Sequence, residues 1–293
     1  MTKILITGAN GQLGSEIRKS SNLFPDLSFI FTDLNELDIT NPFAVEALLA
    51  AEKPQWLINC AAYTAVDKAE TEEETAWLIN AVAPAILAEK SKAVGCRFVQ
   101  ISTDYVFDGK SYRPYIEEDE VCPTSVYGTT KLEGELISQT NNPETLVIRT
   151  SWLYSSFGNN FVKSMIRLGK ERDHLNVIFD QIGTPTYAGD LAEAILEIIH
   201  NTESGACEFV AGTYHYSNEG VCSWYDFALA IHQMYGITCP IDAIESKDYP
   251  SPVARPHYSV LNKSKIKGIF GIQIPYWRNS LEKCIREIKN LAS

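Results

Sequence analysis

Lys3-Ile4-Leu5-Ile6-Thr7-Gly8-Ala9-Asn10-Gly11-Gln12-Leu13-Gly14-Ser15-Glu16-Ile17-Arg18 reads as a strand, a glycine turn and a helix. Ile and Leu fill the run up to Thr7, and Ser15 to Arg18 continue at helical spacing. Gly8 permits a tight turn, Gly11 lets backbone amides approach a pyrophosphate, and Gly14 lets the helix pack close to the strand. Free N–H groups at the start of that helix suit phosphate oxygens. The glycines alone also fit an ordinary strand-to-helix turn; their place between an apolar strand and a helix is what points to a dinucleotide.

The pattern then repeats. Ser28 to Asp33 is a second strand, and Asp33 lies about 20 residues beyond the glycines, where an acid can hold a ribose hydroxyl or simply start a loop. Thr40 or Asn41 caps a helix from Phe43 to Glu52, with Pro42 in its first turn. A third strand within Pro54 to Tyr63 ends in small residues, against which a flat ligand can lie. The acidic run at Thr71 to Glu74 opens a long helix to Lys92, where it complements the helix dipole, and Pro84 is expected to kink that helix. The fourth strand, Arg97 to Thr103, runs into Asp104. Strands alternating with helices predict an α/β fold with a parallel sheet, whose ligands bind beyond the carboxyl ends of the strands.

Ser125 can cap a helix that places Tyr127 and Lys131 at i and i+4, on one face. A nearby ammonium favours a phenolate, so Lys131 is expected to lower the Tyr127 pKa from its usual value of about 10. Alone, the spacing is a weak signal that fits better a half-buried Tyr beside a solvated Lys on an ordinary amphipathic helix. Gly8 to Gly14, Ala61 to Tyr63 and Thr103-Asp104 all occupy strand ends, however, and the Tyr127 helix follows them. A hydroxyl at Thr103, a phenol at Tyr127 and an ammonium at Lys131 suit protonation of a carbonyl oxygen as a nicotinamide delivers hydride.

The 293 residues carry a net charge of -12, which repels polyphosphate, and no basic stripe offers a nucleic-acid surface. No stretch approaches the ~20 apolar residues of a membrane span, and the N-terminus enters a strand at once, without a signal-peptide layout; a cytoplasmic protein is expected. Seven scattered cysteines with no Cys-x-x-Cys pair read as reduced thiols, and five histidines without ligand spacing leave no metal site.

After the strand Thr145 to Thr150 the alternation loosens. Ser151 to Asn160 is a polar, aromatic loop in which Trp152 is core or site. Helices are expected at Phe161 to Glu171, Asp190 to His200, Ser223 to Tyr235 and Arg278 to Leu291, and strands at Leu175 to Phe179 and Glu208 to Val210. In the Pro-rich loop Tyr249 to His257, Arg255 is the cation that an acidic protein holding a diphosphate needs, or else part of a surface turn.

Gly8-x-x-Gly11-x-x-Gly14 with Tyr127-x-x-x-Lys131 resembles the extended short-chain dehydrogenase/reductases. Ala62-Tyr63-Thr64-Ala65-Val66-Asp67-Lys68-Ala69-Glu70, Ser102-Thr103-Asp104-Tyr105-Val106-Phe107, Arg149-Thr150-Ser151-Trp152, Gly158-Asn159-Asn160-Phe161 and Ala254-Arg255-Pro256-His257 look, within that superfamily, like the dTDP-4-dehydrorhamnose reductases. The resemblance implies a Rossmann-type doubly wound parallel sheet at residues 1–150. Residues 151–293 would be mainly a smaller, discontinuous substrate lobe, with segments returning to the first domain. It implies that NADPH or NADH reduces the 4-keto group of dTDP-4-dehydro-β-L-rhamnose. Tyr127 would donate the proton, Lys131 would lower its pKa and hold the nicotinamide ribose, and Thr103 would orient the carbonyl. Asn10, Gln12, Leu13, Asp38, Ile39, Ala62, Tyr63 and Thr64 would line the cofactor; Val66, Asp104 and Trp152 would contact the sugar nucleotide. Some relatives form homodimers through Mg²⁺ held by carboxylates. Glu16 fits one such position, the others find no match, and Lys289 to Ser293 offers no acid, so no metal is expected. A nucleotide-sugar epimerase and a non-catalytic dinucleotide-binding subunit are the alternatives.

Overall fold

The computed structural model describes residues 1–249 and 253–292. Pro250, Ser251 and Pro252 of the Pro-rich loop, and Ser293 of the tail, lie outside the described residues. The first half runs β1 (Thr2–Thr7), α1 (Gln12–Ser20), β2 (Leu27–Phe31), α2 (Pro42–Glu52), β3 (Trp56–Asn59), α3 (Val66–Ala69), α4 (Glu73–Trp77), α5 (Ala83–Ala93), β4 (Arg97–Thr103), α6 (Val126–Asn141) and β5 (Thr145–Thr150). α4 and α5 belong to one helical run joined by a π turn, Leu78–Val82. Pro84 has no N–H for the Asn80 carbonyl, and the interruption expected at Pro84 takes the form of this turn just ahead of it.

The second half adds β6 (Leu153–Tyr154), α7 (Phe161–Glu171), β7 (Leu175–Ile178), β8 (Ile182–Gly183), β9 (Thr186–Tyr187), α8 (Ala188–Glu203), β10 (Gly212–His215), β11 (Cys222–Ser223), α9 (Trp224–Tyr235), β12 (Ile241–Ile244), α10 (Ser264–Phe270) and α11 (Trp277–Ala292). The strand expected at Glu208 to Val210 is displaced to β10. Phe209 instead meets Trp56 edge to face at 5.3 Å, with the Arg97 guanidinium over its ring. β12, which pairs parallel with β7, and α10 were not expected.

The main sheet is parallel throughout, in the order β10-β5-β4-β3-β1-β2. β1 alternates between two apolar layers: Ile4 and Ile6 pack with α1 and α8, while Leu5 packs with α2 and α5. Burial on both faces is why these strands read as continuous apolar runs. A third core, from Tyr154, Val162, Phe227, Trp277, Leu281 and their neighbours, holds α7, α9 and α11 together. Among the described residues, no helix is long and apolar enough to cross a membrane.

The strand order reverses between β1 and β3, so their carboxyl ends diverge into a crevice, the usual ligand position in such sheets. The register Thr7↔Asn59↔Gln100 aligns those ends. It is locked by a buried ladder in which Thr7 Oγ1 donates to Asn59 Oδ1 at 2.6 Å and Asn59 Nδ2 donates to Gln100 Oε1 at 2.9 Å. Such satisfied polar pairs cost little in a core and penalise a slipped register.

Candidate active site

Gly8 has φ +64, and a Cβ there would sit 2.6 Å from the Ala61 nitrogen; one on Gly14 would sit 2.5 Å from Ala9 Cα. The turn after β1 therefore touches the loop after β3 backbone to backbone, a contact that only glycine allows. α1 starts at Gly11 with no side-chain cap and no acid in its first turn. Asn41, Ser125, Asn160 and Ser223 cap α2, α6, α7 and α9. Uncapped amides at the positive end of a dipole, beside glycines, fit a pyrophosphate.

The neighbouring residues divide between side-chain and backbone roles. Asp33 Oδ2 accepts the Asn10 amide at 2.8 Å and Oδ1 accepts the Leu34 amide at 2.8 Å, so this carboxylate ties the glycine turn to the end of β2. Gln12 Oε1 accepts from Asn160 Nδ2 at 3.0 Å, joining the turn to the loop before α7. The Leu13 and Ile39 side chains are in the core, which leaves their backbones for a ligand. Asp38 turns onto Thr40, whose amide and hydroxyl hold its pKa below the usual carboxylate value. Tyr63, between Ala62 and Thr64, is clamped at both backbone groups by Asn80: Oδ1 accepts its N–H at 2.9 Å and Nδ2 donates to its carbonyl at 3.0 Å. Asn80 also donates to Thr130 on α6. Sequence reasoning missed Asn80; a lone amide in the apolar run Ala76 to Val82 was the available signal.

The Ser125 hydroxyl accepts the Gly128 amide at 3.1 Å and starts α6 where expected. A Cβ on Gly128 would lie 2.3 Å from the Tyr105 carbonyl, so this glycine brings α6 against the end of β4. That approach puts the Tyr127 phenol in hydrogen-bonding reach of the Thr103 side chain. The Tyr127 ring meets Tyr105 edge to face at 5.4 Å. Lys131 is buried, and its Nζ donates to the Ile101 carbonyl at 2.7 Å. The expected lowering of the Tyr127 pKa is reversed. Burial raises it, the Thr103 hydrogen bond opposes this, and Asp104 and Tyr105 add to the rise, while the Lys131 ammonium is engaged with a backbone carbonyl. Lys131 is itself lowered to about 8 by burial, against an opposing pull from Glu135. At neutral pH the site holds a protonated phenol, which is the state an acid needs.

Asp104 is buried; Oδ1 accepts from Thr103 Oγ1 at 3.0 Å, and desolvation raises its pKa to about 7. Ser259 lies beside it. A Cβ on Gly183 would meet both Ser259 Oγ and the Trp152 ring at 2.6 Å, so Asp104, Ser259 and Trp152 line one continuous wall. Arg255 Nη2 contacts Asp67 Oδ2 at 3.0 Å, and its charge also acts on Tyr105. Val66 precedes Asp67 on α3. Thr103, Asp104, Tyr127 and Lys131 thus converge, Arg255 reaches them through Tyr105, and Asp38 stands apart with its carboxylate used locally.

Glu16 is fully buried, with Ser155 donating to it at 2.6 Å. The Lys19 ammonium bridges Glu16 and Glu287. Burial raises the Glu16 pKa, with Ser155 and Lys19 opposing. Among the described residues, no group of three or more His, Cys, Asp or Glu side chains is placed to hold a metal ion.

The model of the RmlD substrate binding domain matches residues 1–290. A dTDP-4-dehydrorhamnose reductase of Aggregatibacter actinomycetemcomitans is 42% identical over 289 residues, covering 96% of this chain and 98% of that one. The crystal structure of a dTDP-4-dehydrorhamnose reductase from Clostridium acetobutylicum superposes with a TM-score of 0.92 at 46% identity, covering 98% of this chain and 100% of that one. The Bacillus anthracis reductase, solved in complex with NADP, gives 0.91 at 39% identity with the same coverage. A match over nearly every residue, on a fold with this glycine turn and this Thr-Tyr-Lys cluster, places the chain in the RmlD substrate binding domain family.

Proposed function

We propose that this protein is a cytoplasmic reductase that uses NADPH or NADH to convert the 4-keto group of dTDP-4-dehydro-β-L-rhamnose to the alcohol of dTDP-L-rhamnose. The observation that carries it is the buried Tyr127 phenol beside Thr103 at the carboxyl edge of the same sheet whose first strand ends in an uncapped glycine turn. Full-length relatives named for this reaction support the choice of sugar.

In this reading residues 1–150 bind the dinucleotide. Gly8, Asn10 to Gly14, Asp33, Asp38, Ile39 and Ala62 to Thr64 line it, chiefly through backbone groups. The later residues form the substrate lobe, apart from α8, β10 and α10, which pack with the main sheet. Val66, Asp104, Trp152 and Arg255 face the sugar nucleotide. A bound reduced nicotinamide supplies the hydride to C4. Thr103 orients the carbonyl and Tyr127 gives its proton to O4. The charged Lys131 then stabilises the phenolate left behind, an interaction stronger after proton transfer than before it, and one that therefore lowers the barrier.

The test is stoichiometry. Adding the 4-keto sugar nucleotide should consume NADPH absorbance, with one oxidised cofactor formed per dTDP-L-rhamnose. Isomerisation of the sugar with no net consumption would make the protein an epimerase; dinucleotide binding with neither reaction would make it a binding subunit.

A further inference from the structure

We propose that Glu135, clamped by Arg149, is a positioning residue that keeps Lys131 charged for the reaction at Tyr127. Tyr127, Lys131 and Glu135 follow one another at i, i+4 and i+8 on α6, on the face turned towards β4 and β5. Lys131 is 3% exposed, Glu135 1% and Arg149 5%. Arg149 grips the carboxylate with a fork: Nε lies 3.0 Å from Oε1 and Nη2 lies 2.7 Å from Oε2.

The charges do not cancel in pairs. Arg149 is always cationic, and its fork takes both Glu135 oxygens. Lys131 adds a second buried cation. Apart from Glu135, the group that acts on Lys131 is a thiol rather than a carboxylate. The Cys60 thiol, beyond β3, is pushed far up by burial. The Tyr127 phenol is protonated. His215 on β10 is pushed down to about 3 by burial and by Arg149, so it stays neutral. Asp104 faces Tyr127 from the end of β4, and Glu117 accepts the His215 amide. Among the groups acting on Lys131, Glu135 is the carboxylate that favours its charged form. A core ion pair that only glued α6 to β5 would need no Lys131 one turn away.

The two charge-removing variants should act in opposite directions. In Glu135→Gln, Arg149 faces Lys131 unopposed, and the Lys131 titration midpoint should fall by about one pH unit or more. In Arg149→Met, Glu135 faces Lys131 alone and the midpoint should rise by a similar amount. The readout is the ¹³Cε shift of labelled lysine, assigned by its loss in Lys131→Arg, with the alkaline limb of kcat/KM expected to move in the same direction. If Glu135→Gln does not fold, Arg149→Met carries the test, and an unchanged Lys131 midpoint in that folded variant overturns the proposal. Unchanged midpoints in folded variants would overturn it and leave the pair purely structural. The proposal rests on the Tyr127–Lys131 reading, but the NMR titration needs no sugar. A wild type that fails to turn over the sugar nucleotide therefore overturns the function alone.

Discussion

The Trp152 and Trp224 rings lie face to face, with centroids 3.6 Å apart and planes 11° from parallel. Trp152 holds φ +48, a left-handed conformation that a bulky residue adopts only when its surroundings impose it. Trp224 backs the strained residue and Phe161 packs against Trp224 at 4.6 Å, so the wall facing Asp104 is built on the core that holds α7, α9 and α11 together. Trp224→Leu should abolish the exciton couplet of the stacked indoles in circular dichroism and raise KM for the sugar nucleotide more than it lowers kcat. An unaltered couplet would show that the stack does not exist in solution.

If Tyr127 donates the proton, Tyr127→Phe removes the acid and leaves the ring in place against Tyr105. kcat should drop at least ~10²-fold with cofactor affinity little changed, since general acid catalysis supplies about 10² to 10⁴. Nicotinamide fluorescence on binding checks the second half. A Phe variant with near-normal turnover removes Tyr127 from the mechanism.

Asp104 makes stability depend on pH in a direction unlike most carboxylates. Its folded pKa of about 7 exceeds the unfolded value of 3.8, so the folded state binds more protons between those two pH values. Stability from this residue is complete below the lower value and is lost as pH rises to the upper one. Asp104→Asn removes that slope. Urea midpoints should show the variant gaining on the wild type by on the order of 1 to 3 kcal/mol between pH 4 and pH 7.5. A constant difference across that window would mean that Asp104 titrates normally.

The glycine turn was legible because part of its constraint is local: Gly14 answers to Ala9 within the same turn, although the Ala61 nitrogen that Gly8 meets belongs to the loop after β3. Tyr127 and Lys131 were legible because a helix makes i and i+4 neighbours. Asn80 was not, since its partners, Tyr63 and Thr130, are brought to it by folding rather than by spacing. The Tyr127 pKa was misread for a related reason. Helical geometry puts the ammonium on the correct face, but the Ile101 carbonyl that captures it belongs to another element. Phe209 and Val210 imitated a strand because an aromatic that covers Trp56 is as apolar as one that pairs in a sheet.

Asp33 serves the glycine turn whether or not it meets a ribose, because both its oxygens accept backbone amides. Asp33→Ala should therefore weaken both cofactors, and NADH more than NADPH, since the acid also repels a 2′-phosphate. The NADH/NADPH ratio of kcat/KM checks this. Equal losses would confine Asp33 to holding the turn.

Arg255 is paired with Asp67, both groups being about one-third or more exposed. If Arg255 serves the diphosphate, the incoming ligand must compete with Asp67 for the guanidinium. A doubly charged diphosphate offers more acceptor oxygens than one carboxylate, so the exchange favours the ligand, yet each encounter begins by breaking the pair. Asp67→Asn should consequently tighten dTDP binding in calorimetry, whereas Arg255→Met should weaken it about tenfold or more, in line with the ~1.5–3 kcal/mol of a hydrogen bond to a charged group. Raising the salt concentration should shrink both effects, because the pair and the ligand contact are screened alike at this exposure. Weaker dTDP binding in Asp67→Asn would show that Asp67 positions Arg255 for the ligand rather than competing for it, and equal binding in both variants would take Arg255 out of the diphosphate site.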